Sequence, residues 1–255
     1  MTSHQPTTVL ITGAATRIGA ALALGMAKQG WAIALHYHGS TEAAQSTAQA
    51  IEDIGGKVAL VQADLSDEAQ TAELIAEACK ELGSLTCLIN NASVFEHDDF
   101  VTVTSDSWHK HMSVNLRAPF VLTQAFAKQL PEGAQGCVIN LIDQRVWKLT
   151  PEFTSYTLSK AALWTMTQTA AQALAPHIRV NAIAPGPTLK SERQSEQSFA
   201  QQVAATPLQH QPSLDDFVGA VNFILASSSL TGQMIALDGG QHLAWKTPDV
   251  VGVDE

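Results

Sequence analysis

The chain has 255 residues, 45% hydrophobic and 15% charged, with 14 basic against 24 acidic side chains and a net charge of −10. That length can bury a core without disulfides or metal, and the composition excludes disorder as the main state. The negative charge disfavours nucleic acid and anionic membrane, no apolar run approaches the ~18 residues of a membrane span, and a small molecule is the expected partner.

In chain order, short β-branched or apolar runs alternate with longer Ala-rich stretches of helical period. Strands are expected at Thr8–Thr12, Ala32–Tyr37, Lys57–Gln62, Thr86–Asn90, Gly136–Ile142, Ile178–Ile183 and Gln233–Leu237. Helices are expected at about 17–29, 41–54, 67–82, 104–129, 155–175 and 213–226. This βαβα rhythm predicts an α/β fold, a Rossmann-type doubly wound parallel sheet of about seven strands with helices on both faces. No linker, repeat or charge block divides residues 1–255, so one domain is expected. Two longer connections, 143–154 and 184–212, each follow a strand; ligands bind beyond strand carboxyl ends in such sheets, which makes both candidate substrate loops. The second also reads as a mobile surface loop.

The opening Met1–Thr8 lacks the basic end and apolar core of a secretory leader, so none is expected. Cys79, Cys87 and Cys137 form no C-x-x-C pair and read as reduced thiols of a cytoplasmic protein.

The first strand enters Thr12-Gly-Ala-Ala-Thr-Arg-Ile-Gly19 and then a helix. Gly13 permits a tight turn, Gly19 a close helix–strand approach, and Arg17 and Ile18 lie between them at a helix N-terminus suited to a pyrophosphate. At the end of the second strand, where a free ribose 2′-hydroxyl calls for an acid, the chain has His36-Tyr37-His38-Gly39-Ser40, with no carboxylate until Glu42. Imidazole and hydroxyl donors beside Arg17 suit a 2′-phosphate, which favours NADPH over NADH. Simple alternation of His36 and His38 about a strand end, with a solvated Arg17, is the blander reading. A metal at His-x-His lacks a third ligand at useful spacing.

Tyr156-Thr-Leu-Ser-Lys160 falls in a helical stretch, and i, i+4 spacing puts both side chains on one face. An ammonium beside a phenol is expected to lower the phenol's pKa and make Tyr156 a usable proton donor.

Together with Asp64-Leu65, Asn90-Asn91-Ala92-Ser93, Val114-Asn115-Leu116, Pro185-Gly186 and Leu237-Asp238-Gly239-Gly240, these motifs resemble the short-chain dehydrogenase/reductases from residue 8 to about 243. The resemblance implies that Asp64 and Leu65 border the adenine and that Asn91, Ala92 and Ser93 line the cofactor. It also implies that Lys160 holds the nicotinamide ribose, that Asn115 supports a water chain to the lysine, and that Pro185-Gly186 lie near the carboxamide. A homotetramer built on the helices near 104–129 and 155–175 is a further implication, and the tail from Gln241 to Glu255 could reach a neighbouring site.

Three departures narrow the resemblance to the pteridine reductases: Arg17 for the usual loop glycine, Ser93 ending Asn-Asn-Ala-Ser, and Asp143 where a serine is usual. That subfamily implies Phe95 stacked on a pterin, with Ser93, Arg17, Asp143 and Tyr156 at the substrate. Chemistry agrees at Asp143. A carboxylate repels the oxyanion of carbonyl reduction, whereas reduction of a C=N bond needs a proton at nitrogen. An aspartate capping a turn is the alternative there. The expected activity is NADPH-dependent reduction of a pterin or dihydrofolate. Another carbonyl or imine substrate is the alternative, and a non-catalytic sensor of the cofactor comes last. Gly39 stands where some pteridine reductases carry an arginine, Trp147 reads as substrate wall or packing, Trp164 as packing, and His109 and His111 have no assigned role. The run Glu96-His-Asp-Asp99 reads as a solvated loop.

Overall fold

A computed structural model describes residues 7–191, 193–247 and 251. Seven strands form one sheet: β1 (Thr8–Ile11), β2 (Ala32–Tyr37), β3 (Val58–Gln62), β4 (Cys87–Asn90), β5 (Gly136–Leu141), β6 (Ile178–Pro185) and β7 (Met234–Leu237). Every pairing is parallel, in the order β3-β2-β1-β4-β5-β6-β7. The order reverses at β1, which lies between β2 and β4.

Alternation along the strands feeds two apolar layers. Val9, Ile11, Ile33, Leu35, Ile89 and Ile139 face one layer, closed by α1 (Arg17–Ala27), α2 (Thr41–Asp53) and α8 (Leu214–Ala226). Leu10, Ala34, Leu88 and Val138 face the other, closed by α3 (Glu68–Leu82), α5 (Ala118–Gln129) and α6 (Thr154–Leu174). Burial of both sheet faces is why the central strands read as continuous apolar runs. Local signals stop and start the helices: Asp67 caps α3 through the amides of Ala69 and Gln70, and Ser213 with Asp216 forms a capping box on α8.

Two expectations are corrected. The stretch 104–129 is not one helix: α4 (Ser105–Met112) passes through a π-helical turn, Ser113–Arg117, before α5. The connection 184–212 is shortened by β6, which runs to Pro185, and carries α7 (Glu196–Ala204), a helix with no buried residue and so no apolar period to betray it. Trp164 packs against the small cluster around Leu163, whereas Trp147 is half-exposed. Among the described residues no helix is long and apolar enough to cross a membrane. Residues 248–250 and 252–255 of the tail lie outside the described residues.

Candidate active site

The carboxyl ends of β1, β2, β4, β5 and β6 open into one cleft of about 1140 Å³. Its floor at β1 is built by backbone approach. Gly13 has φ +63°, and a Cβ on Gly19 would lie 2.2 Å from the Gly13 carbonyl oxygen. Asn91 holds this turn by donating from Nδ2 to the carbonyls of Thr12 and Gly13, at 2.8 and 3.1 Å. Thr16 makes no side-chain cap on α1 and the first turn has no acid, so the helix offers its free amides and positive end to the cleft. Gly186 fits because a Cβ would meet Asp238 Cα at 2.5 Å. These close approaches suit the backbone cradle that a dinucleotide needs, and Ile18, Ala92 and Pro185 line it as well.

Arg17 sits in the left-handed region, φ 55°, and its guanidinium donates to the carbonyls of Leu189 and Lys190 at 2.9 and 3.1 Å. It therefore ties the glycine turn to the loop after β6.

The histidines at the end of β2 divide. His36 is 2% exposed; its Nδ1 accepts from the Gly13 amide at 3.0 Å and its Nε2 faces the Ala63 carbonyl at 3.1 Å. Those partners require neutral imidazole with the proton on Nε2, and burial lowers its pKa to about 4. His36 is thus a strut of the glycine turn rather than a phosphate donor. Tyr37 packs against the α1–α2 core and Ser40 stands at the start of α2, and neither is among the residues that line the cleft. His38 does line it, 3.7 Å from Asp64, beside Leu65. Hydrogen bonds from Ser66 hold the Asp64 carboxyl below its usual range.

His36 also makes stability depend on pH. Between 6.5 and about 4 the unfolded chain takes up a proton that the folded ring refuses, so this contribution is complete above 6.5 and declines as pH falls. The full loss is about 3 kcal/mol. Urea unfolding from pH 7 to 4 should show it, and His36→Gln should lose that part of the slope.

The chemistry gathers at the end of β5. Asp143 Oδ1 accepts from the Arg145 amide at 2.8 Å, capping the turn Gln144–Val146, while Oδ2 accepts from the Tyr156 hydroxyl at 2.8 Å. One oxygen thus caps the turn and the other meets the Tyr156 hydroxyl. Burial, the Asp143 charge and the hydrogen bond to it push the Tyr156 phenol well above 10. Burial likewise raises Asp143, against the hydrogen bonds it accepts. The expectation that Lys160 acidifies Tyr156 is corrected: the lysine donates to the Leu141 carbonyl at 2.8 Å and lies 5.9 Å from the centre of the tyrosine ring. Desolvation lowers Lys160 to about 8, so it stays largely cationic at neutral pH.

Asn115, fully buried in the π turn, does not reach the cleft. Its Oδ1 accepts from the Val94 amide at 2.8 Å and from Ser93 at 3.2 Å, and its Nδ2 donates to Val94 and Ser159 at 2.9 and 3.1 Å. It acts as a clamp on the segment leading to Phe95. Phe95 stacks on Phe153 at 4.4 Å and meets Tyr156 edge-on at 4.6 Å. Phe153, Arg145, Arg193 and Gln144 line this end and were not singled out from sequence. Arg145 and Arg193 lie over the aromatic pair, 5.0 Å from Phe153 and 5.4 Å from Phe95, and Gln144 buries an Oε1 without a protein partner. Only the run of ring and guanidinium residues near Tyr156 could have suggested them.

A family model described as enoyl-(acyl carrier protein) reductase matches residues 13–242. The chain belongs to the short-chain dehydrogenase/reductase family. It is an oxidoreductase. The crystal structure of FolM alternative dihydrofolate reductase 1 from Brucella suis, in complex with NADP, is 48% identical over 98% of this chain and all of that one, with a TM-score of 0.94. The Brucella canis protein of the same description, complexed with NADP, is 47% identical over 96% of this chain and 97% of that one, at 0.91. A probable galactose dehydrogenase of Rhizobium meliloti is 33% identical, covering 91% of this chain and 93% of that one.

Proposed function

We propose that the protein is an NADPH-dependent reductase of a pterin or dihydrofolate C=N bond, acting within a single domain. The observation that carries this is the Asp143–Tyr156 hydrogen bond of 2.8 Å beside the Phe95 ring. NADPH, when bound along the glycine cradle, supplies the hydride. Gly13, Gly19 and the α1 amides hold its pyrophosphate, and Lys160 holds the nicotinamide ribose. His38 is the cleft-lining donor at the end of β2, where a 2′-phosphate would be read. A side chain at Gly39 would meet nothing within 4 Å, so that edge is open.

The chain's own work is orientation and proton supply. Phe95 offers an apolar face to a flat heterocycle, with Ser93 and Asn115 setting the segment behind it. With its pKa raised, Asp143 retains a proton closer to neutrality than an ordinary carboxyl. With that proton on Asp143 the 2.8 Å contact reverses, Asp143 donating to Tyr156 and freeing the phenolic proton for the substrate nitrogen; once Tyr156 has given it, the Asp143 proton restores the phenol and leaves Asp143 ionised. A serine at 143 could not make that delivery at neutral pH.

The test is NADPH consumption with 7,8-dihydrobiopterin and with dihydrofolate, in the native protein and in Asp143→Ser. Turnover is expected in the first and a fall of about 10²-fold or more in the second. Undiminished turnover in Asp143→Ser would remove the aspartate's role. Native protein that oxidised NADPH only with ketones or sugars would overturn the pterin reading.

Three reduced cysteines, two of them buried, suit the cytoplasm. A homotetramer is the assembly proposed. Trp108, Phe120 and Leu158 are 40, 54 and 45% exposed on the helices at 105–129 and 154–174, and light scattering should give a mass near four chains of 27.1 kDa.

A further inference from the structure

A buried polar chain runs behind the substrate wall. His111, given no role from sequence, is fully buried, and Asp98, read as part of a solvated loop, is 3% exposed. The His111 Nε2 accepts from the Glu96 amide at 3.1 Å, one residue beyond Phe95. Its Nδ1 lies 2.7 Å from Ser155 Oγ, one residue before Tyr156. An Nε2 that accepts puts the ring proton on Nδ1, which then donates to Ser155. Ser155 in turn donates its hydroxyl to Asp98 Oδ2, and Asp98 Oδ2 accepts from Ser107 at 2.6 Å as well.

The carboxylate end has its own task. Phe153 precedes α6 in the left-handed region, φ 58°, and gives it no side-chain cap. Asp98 supplies the missing cap, accepting from the Ser155 amide on Oδ1 at 3.1 Å, while its carbonyl accepts from Phe153 at 2.6 Å. The same residue thus fixes both Phe153, which stacks on Phe95, and the turn that carries Tyr156. Its charge also meets the positive end of α6. Burial opposes ionisation, but the Ser107 and Ser155 hydrogen bonds outweigh it and hold Asp98 below the usual carboxylate range.

We propose that His111 is a positioning residue which, through Ser155 and Asp98, sets the separation between the substrate-stacking Phe95 and the proton-donating Tyr156. The roles of those two groups rest on the function proposed above. The imidazole touches neither substrate nor cofactor; it spans the two walls with one nitrogen each. A rigid five-membered ring holds that span where two flexible contacts would not, and a displacement of about 1 Å at a reacting group can cost 10²-fold in rate.

The two nitrogens can be separated by substitution. In His111→Asn the amide falls at the Nδ1 position and keeps Ser155, but leaves the Glu96 amide without its acceptor. In His111→Gln the amide reaches the Nε2 position and keeps Glu96, but releases Ser155. Steady-state kinetics on the full chain, with active sites counted by NADPH binding, should split accordingly. The Asn variant should raise the dihydropterin KM with the smaller change in kcat. The Gln variant should lower kcat by about 10–100-fold with the smaller change in KM. NADPH stoichiometry should be one per chain in both.

Equal losses in kcat and KM that track a lowered Tm, or unchanged constants in both variants, would overturn the proposal. The native protein decides the reading beneath it. If it reduces no pterin but does reduce an α-diketone, the pterin function falls. The kcat loss in the Gln variant, read on the diketone, then decides whether His111 still sets Tyr156.

Discussion

Tyr156→Phe should lower turnover by about 10²–10⁴-fold while NADPH binding stays as in the native protein. The ring is buried and keeps its edge contact with Phe95, so the substitution removes little but the hydroxyl. That hydroxyl is the donor to Asp143, and its loss leaves a buried carboxyl whose pKa burial has already raised with one hydrogen bond fewer. Stopped-flow measurement of NADPH oxidation, beside fluorescence titration of NADPH, separates chemistry from binding. Retained turnover would mean that the proton reaches the substrate by another route.

Gly19→Ala should disable the cofactor end. The added methyl would meet the Gly13 oxygen at 2.2 Å, Asn91 Nδ2 at 2.7 Å and Ala14 Cα at 2.9 Å. Two of these are backbone and the third is hydrogen-bonded to backbone, so none can yield without moving α1 off the turn. Overpacking of this kind costs about 1–3 kcal/mol, a fall in Tm of several degrees. NADPH should fail to saturate at concentrations that fill the native protein. Gly219→Ala is the matched control. It also lies in a helix, its methyl would meet nothing within 4 Å, and it should stabilise by up to about 1 kcal/mol. Calorimetric titration of both variants checks the contrast.

The sequence made the sheet legible because strands buried on both faces must be apolar throughout; β2 matches its expected span residue for residue. The glycine turn and the Tyr156–Lys160 pair were legible for a related reason, since close approach and i, i+4 spacing are local constraints. What escaped depends on partners distant in the chain. Asp98 and Ser155 are 57 residues apart, and the two charged-looking stretches that hold Asp98 and His111 give no local sign of burial. The same gap explains His36, a phosphate donor by position whose nitrogens are taken up by Gly13 and Ala63. It also explains Tyr156, where the neighbour in sequence, Lys160, matters less to the phenol than Asp143, 13 residues earlier. The π turn at Ser113–Arg117 was hidden because its residues fit an ordinary helical pattern, with only Pro119 marking the restart.

The reversal of strand order at β1 divides labour between two stretches of chain. The cleft residues His38, Asp64 and Leu65 follow β2 and β3, whereas Phe95, Asp143 and Arg193 follow β4, β5 and β6. On the function proposed above, selection on the choice of dinucleotide and selection on the choice of substrate act on separate lengths of gene. Substitutions in the two lengths, sharing no side-chain partner, should combine additively. A lineage carrying this sheet can exchange one specificity while the other stays under its own constraint.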